Sequence, residues 1–170
     1  MRSKRISILP IGDVKTEHFL TLALLLSVRF KKISVLDRVP LPRDSFDTAR
    51  RQHDSAAFLA AAEEGTGEKV LGVTDEDLFA EGLNFVFGRA ILGGRACVIS
   101  TARLAEDDPV VFRSRMVKEA VHELGHTFGL GHCQDRRCVM RFSNSILDTD
   151  KKGTWFCGSC RTMLESLESG

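Results

Sequence analysis

A chain of 170 residues with 43% hydrophobic and 28% charged residues suits one globular domain with a core of its own. Its net charge of +1, with basic and acidic residues interleaved, gives no electrostatic case for nucleic acid or an anionic membrane surface. Five cysteines favour metal ligation over disulfides in a cytosolic chain, which this one is expected to be.

Met1-Arg2-Ser3-Lys4-Arg5 is basic, but the apolar run that follows breaks at Pro10 and Asp13, so it does not read as a secretory signal. The apolar run from Phe19 to Val28 is too short to span a bilayer. A cytoplasmic location is therefore expected. Lys4 to Leu9 alternates weakly and reads as a first strand. Pro10, Gly12 and Asp13 then turn the chain into a helix from Val14 to Phe30, with Asp13 as N-cap and Glu17 near the positive helix end. Lys32 to Leu36 reads as a second strand, stopped by Val39-Pro40-Leu41-Pro42. Residues 43 to 64 end in an Ala-rich helix, Ala56 to Glu64. The pair Arg50-Arg51 with His53 reads as a solvated loop or helix face, in preference to a contact for a substrate carboxylate. After the turn Gly65-Thr66-Gly67 comes a strand, Lys69 to Val73. Thr74-Asp75-Glu76-Asp77-Leu78 reads as the cap of a short helix rather than as a cation site. Leu83 to Gly88 reads as a strand, with Ala96 to Thr101 its neighbour across the Gly93-Gly94 turn. Cys97, inside that apolar run, reads as a small buried hydrophobe.

Asp108 as N-cap and Pro109 at the first helical position open the next helix, whose buried face is Val110, Met116, Val117, Ala120, Val121 and Leu124. At 3.6 residues per turn, His122 and His126 share a face and can point both imidazoles at one ion. Glu123 stands beside them, where a carboxylate can take a proton from a zinc-bound water. Gly129 ends the helix in a left-handed turn that brings His132 back as a third ligand. Three protein ligands with a fourth position open is the arrangement of catalytic zinc. A bare His-Glu-x-x-His arises by accident in roughly one in a few hundred chains of this length, and the later Gly and His cut that by a further ~10³.

These residues resemble the metzincin clan of zinc metallopeptidases. Cys133, Cys138, Met140 and Cys157-Gly158-Ser159-Cys160 are similar to the motif of one metzincin family, the archaemetzincins. The interval from Met140 to Cys157 is one residue shorter than that family's pattern, which touches a loop and not the ligands. The resemblance implies an α+β, metzincin-like fold: a mixed twisted sheet with an antiparallel edge strand, an active-site helix and a small zinc-stapled C-terminal subdomain. A single metallopeptidase domain follows, with residues 1–131 forming the N-terminal part and 132–170 the C-terminal one. It implies two zinc ions, a catalytic one on His122, His126 and His132 and a structural one on Cys133, Cys138, Cys157 and Cys160. Met140 would form a turn beneath the histidines. Asn84, Phe85, Val86, Phe87 and Gly88 take the place of the edge strand that binds extended substrate.

The expected activity is hydrolysis of peptide bonds by a zinc-activated water, with Glu123 as general base. The partner is a peptide or protein substrate; no nucleic acid or membrane is expected, and the chain is expected to be a monomer. A rival is a non-catalytic zinc-binding module that recognises peptides on the same scaffold; Glu123 argues against it, since ligation alone needs no carboxylate there. A third is a zinc-ribbon binder of nucleic acid using Arg136-Arg137, which the balanced charge disfavours. Disulfides Cys133–Cys138 and Cys157–Cys160 are the alternative to the second zinc. The chain has no tyrosine, so the oxyanion must be stabilised by zinc, backbone amides or another side chain. The last 38 residues are too few to form a core unaided, and structural zinc would supply the missing stability.

Overall fold

The computed structural model describes residues 5–169, so Lys4 and the basic residues before it lie outside the described chain. The first elements are β1 (Arg5–Pro10), α1 (Thr16–Ser27), β2 (Lys32–Val35), β3 (Phe46–Asp47), β4 (Gln52–Asp54), α2 (Ser55–Glu64) and β5 (Lys69–Thr74). They are followed by β6 (Leu78–Phe79), β7 (Gly88–Ala90), β8 (Ala96–Ser100), α3 (Pro109–Thr127), α4 (Ile146–Lys151) and α5 (Gly158–Ser169). The main sheet has the order β2-β1-β5-β8-β7. Its first four strands are parallel, and β7 closes one edge antiparallel to β8, Gly88 standing opposite Ile99. This is the mixed sheet with an antiparallel edge strand that the motif implied. No described helix is long and apolar enough to cross a membrane.

Parallel strands are covered on both faces, so their sequences run apolar almost without a break and alternate residues feed opposite layers. Ile6, Ile8, Leu71, Val73, Cys97 and Ile99 pack with α1 and α3, whereas Leu9, Val70, Ala96 and Val98 pack with Phe58 and Ala62 of α2. Cys97 is fully buried, as its apolar surroundings predict, and burial pushes its thiol well above its ordinary range. Val139, Met140, Phe156 and Leu164 belong to the same layer as α3. The C-terminal stretch thus shares the main core.

Several local readings are corrected. Asp13 does not cap α1; Lys15 holds that position with no side-chain cap of its own, and Asp13 pairs with Arg38 at 3.0 Å. The acidic run at 75–77 caps no helix after it, because Leu78–Phe79 pairs with β4 as a strand. Asp75 reaches across instead to α1, accepting from the Lys15 backbone N–H at 2.9 Å, while His18 Nδ1 lies 2.8 Å from it. A tertiary carboxylate replaces the local cap, a contact that chain order does not reveal. Between 43 and 54 the chain forms the β3–β4 pair, and Asp54 caps α2 by accepting from Ala56 N at 2.9 Å. Arg50 and Arg51 are exposed in the turn between β3 and β4, as expected, Arg50 lying over the Phe79 ring and donating to the Leu83 carbonyl, whereas His53 is buried against Ser45 and is not part of that solvated face. The edge strand begins at Gly88 rather than spanning 83–88; of the stretch before it, only Val86 makes a bridge, to Leu78.

Candidate active site and cysteine cluster

Helix α3 is built as its sequence dictates: Asp108 accepts from Val110 N at 2.7 Å and Pro109 fills a position whose N–H would be unpaired. It ends in a turn where Leu130 N bonds to Gly125 O and Gly129 N to His126 O, with Gly129 at φ +94°. That turn does chemistry as well as stopping the helix, because His126 Nδ1 donates to the Leu130 carbonyl at 2.8 Å. His122 Nδ1 likewise donates to the Val139 carbonyl at 2.9 Å. A carbonyl can only accept, so each ring carries its proton on Nδ1 and leaves the Nε2 lone pair free. The two Nε2 atoms are 3.1 Å apart, and one ring nitrogen from each of His122, His126 and His132 lies within 4.8 Å of the others.

A tetrahedral ion held at about 2.0–2.1 Å spaces its nitrogen ligands by about 3.3 Å, so the donor set fits zinc. Desolvation lowers the pKa of all three imidazoles, which favours the neutral, ligating form.

The four cysteines form a second group. Cys133 and Cys157 Sγ are 3.7 Å apart, as are Cys138 and Cys160 Sγ. All five cysteines are free, and a tetrahedral zinc with ligands at about 2.3 Å spaces sulfurs by about 3.8 Å, whereas a disulfide needs about 2.05 Å. The close pairs also differ from the disulfides Cys133–Cys138 and Cys157–Cys160. Backbone N–H groups of Asp135 and Cys157 point at Cys133 and Cys138 sulfur, at 3.4 and 3.3 Å, which suits thiolates. His132 and Cys133, neighbours in sequence, thus serve different groups.

Met140 sits directly beneath α3, against Gly125. A Cβ at Gly125 would strike the Met140 sulfur and come within 3.0 Å of the Phe156 ring. This explains the glycine between the two helical histidines, which the metal pattern alone does not require. Gly125→Ala should cost about 1–3 kcal/mol by overpacking, seen as a lower midpoint in urea unfolding. An unchanged midpoint would mean that Met140 can retreat freely.

Glu123 is buried beside Gly88 of the edge strand, where a Cβ would lie 2.6 Å from the Glu123 Cγ. Desolvation, helped by Glu119 and opposed by Lys152, raises its carboxyl to about 8. A divalent ion on the neighbouring imidazoles acts in the opposite direction, since it stabilises the carboxylate.

These groups floor a cleft of about 530 Å³. One wall is the segment 82–90, including Asn84, Phe85, Val86, Phe87 and Gly88; the other is Phe142, Ser143 and Asn144, with the Phe142 ring 5.0 Å from that of His132.

The sequence reading missed Glu119, which lines the same floor, and Lys152, whose Nζ lies 3.0 Å from Glu119 Oε1 with both side chains buried. It also missed α4, which carries Thr149 to Glu119 Oε1 at 3.0 Å. Ser145 followed three residues later by Asp148 is a helix-start signature that could have found it, and the two side chains do bond at 2.9 Å.

The profile of Peptidase family M54 matches residues 60–166. The chain belongs to this family. Among its relatives, the archaemetzincin of Methanopyrus kandleri is 50% identical over 130 residues, 75% of this chain and 74% of that one. A crystal structure of archaemetzincin from the same organism superposes with a TM-score of 0.88 at 38% identity, covering 100% of this chain and 99% of that one. Archaemetzincin from Archaeoglobus fulgidus, solved as a complex with malonate, gives a TM-score of 0.86 at 40% identity, covering 93% and 98%. Members of family M54 are archaemetzincin-type zinc metallopeptidases, and the α+β fold with its mixed sheet is theirs. The protein is a zinc-dependent hydrolase.

Proposed function

We propose that the protein hydrolyses peptide bonds with His122, His126 and His132 holding a catalytic zinc and Glu123 acting as general base. The observation that supports this best is the convergence of one ring nitrogen from each of three histidines, two of them Nε2 atoms freed by their Nδ1–carbonyl bonds, beside a buried carboxylate on the floor of a cleft bounded by a sheet edge. Zinc bound there would supply Lewis acidity, polarising the scissile carbonyl and making water a better acid. Glu123 would accept the proton of the attacking water and pass it to the leaving amine. The free edge of β7 would hold the substrate backbone in extended form by adding a strand. Val139 and Leu130 carbonyls would fix the ligating imidazoles in the right tautomer. Cys133, Cys138, Cys157 and Cys160 would hold a second, structural zinc, with Met140 supporting the histidines from below. The cell compartment and monomeric state are proposed on the sequence reading alone.

The test is cleavage of a broad peptide library by zinc-loaded protein, lost on chelation and regained on adding zinc. Binding of peptides without any cleavage would leave a recognition module in place of an enzyme. Elemental analysis under reducing, metal-replete conditions should find two zinc ions per chain. Mild chelation should remove one ion sooner, the one whose coordination sphere includes an open position. Recovery of a single ion per chain would remove one of the two sites.

A further inference from the structure

We propose that the leaving-group side of the cleft selects a substrate side chain bearing a carboxamide, glutamine or asparagine, directly after the scissile bond; this rests on the peptidase reading above. Antiparallel pairing with β7, the more stable of the two ladders, sets the direction. Phe87 packs with Met116 in the first half of α3, and Gly93 just beyond β7 donates to the His126 carbonyl near the end of α3. A substrate strand added antiparallel to β7 therefore enters at the His126 end and leaves toward Glu119. Glu119 lies one helical turn, about 5 Å, before Glu123, within reach of the next substrate side chain.

The groups waiting there are polar and incompletely used. Thr149 and Lys152 both address Glu119 Oε1, and Oε2 has no hydrogen-bond partner among the described residues. Lys152 Nζ is an ionic neighbour of Glu119 but makes no aligned hydrogen bond, and Ser143 Oγ, also buried, has no partner. Ser143 and Glu119 line the same cleft, and Ser143 lies in the segment that connects Phe142, against His132, to Thr149, against Glu119.

A carboxamide offers an N–H for Glu119 Oε2 and a carbonyl for the Ser143 hydroxyl, and meets both unused valences. An aliphatic side chain would leave them buried and unpaired. Charge points the same way. Glu119 and Lys152 cancel one another at longer range, a zinc ion repels a cationic side chain, and the unbonded Glu119 oxygen repels an anionic one at contact range. Arg115, Lys118 and Asp150, on the elements packed behind, are engaged with each other and with backbone carbonyls, Arg115 and Asp150 at 2.8 Å.

The experiment uses zinc-loaded full-length protein and hydroxamates that extend from the metal-binding group toward the leaving-group side. One carries glutamine as its first side chain and the other methionine, a close isostere without the amide. Calorimetry should show the glutamine compound binding at least ~10-fold tighter. Ser143→Ala should shrink that ratio to about 3-fold or less, chiefly by weakening the glutamine compound. Because Glu119→Gln strands a buried ammonium and risks the fold, the paired variant Glu119→Leu/Lys152→Met tests that residue; it should abolish the preference. Equal or tighter binding of the methionine compound, or a stronger gain from lysine or glutamate in the same place, overturns the proposal. Acetohydroxamate, which has no side chain, separates the two levels: if it binds and the ratio is flat, the selectivity fails alone. If acetohydroxamate itself does not bind, the open metal position is wrong and the selectivity falls with it.

Discussion

Glu123→Ala is expected to lower peptide hydrolysis by at least ~10², the scale on which a removed acid–base group acts, with both zinc ions retained. Ligation does not depend on this carboxylate, since a helix sets it about 100° around from His122 and the imidazoles are oriented by the Val139 and Leu130 carbonyls. Metal content and the affinity for extended peptides should therefore be near wild type, while kcat falls. The alanine also removes a buried carboxyl whose charged form burial disfavours, so the thermal midpoint should hold or rise. Parallel kinetics and elemental analysis decide it. Equal cleavage by variant and wild type would remove Glu123 from the chemistry, and loss of zinc along with activity would make it a ligand.

Cys157→Ser should destabilise the fold by about 4 kcal/mol or more, against about 1 kcal/mol for His132→Ala. Cys157 bridges the two halves of the C-terminal stretch: its sulfur faces Cys133, and its backbone N–H points at Cys138 sulfur. His132 is exposed and leaves behind a helix already held by its cap, its terminal turn and the main core. Urea melts of the two variants under reducing conditions, at stoichiometric zinc, give the comparison. Equal losses would mean that Val139, Met140, Phe156 and Leu164 hold the stretch by packing alone.

The histidine and cysteine groups were legible because their chemistry is local: four residues of helix, one glycine turn and two cysteine pairs assemble a three-nitrogen and a four-sulfur donor set whatever surrounds them. The main strands were legible because fully covered strands stay apolar. What chain order hid was satisfaction at a distance. Asp75 looks like a cap for the residues after it, yet it accepts from the N-terminus of α1. Leu83 to Phe87 has the composition of a strand, but the ladder starts at Gly88, where the backbone can approach Glu123. Glu119 and Lys152 are 33 positions apart in the numbering, and nothing in either neighbourhood marks them as a buried pair facing the cleft. The same is true of Gly125, whose reason is a sulfur atom from another segment.

Cys138, Val139 and Met140 are consecutive, and each faces a different neighbour. The Cys138 sulfur joins the cysteine group, the Val139 carbonyl holds His122, and the Met140 thioether lies under Gly125. A substitution here disturbs one neighbour, whereas inserting or deleting a residue would put all three out of step at once. Cys133 N donates to Met140 O, closing this span as a loop of fixed size. Length variation in relatives of this chain should therefore collect on the far side of Met140, in the stretch before Cys157, where the count can change without moving a ligand.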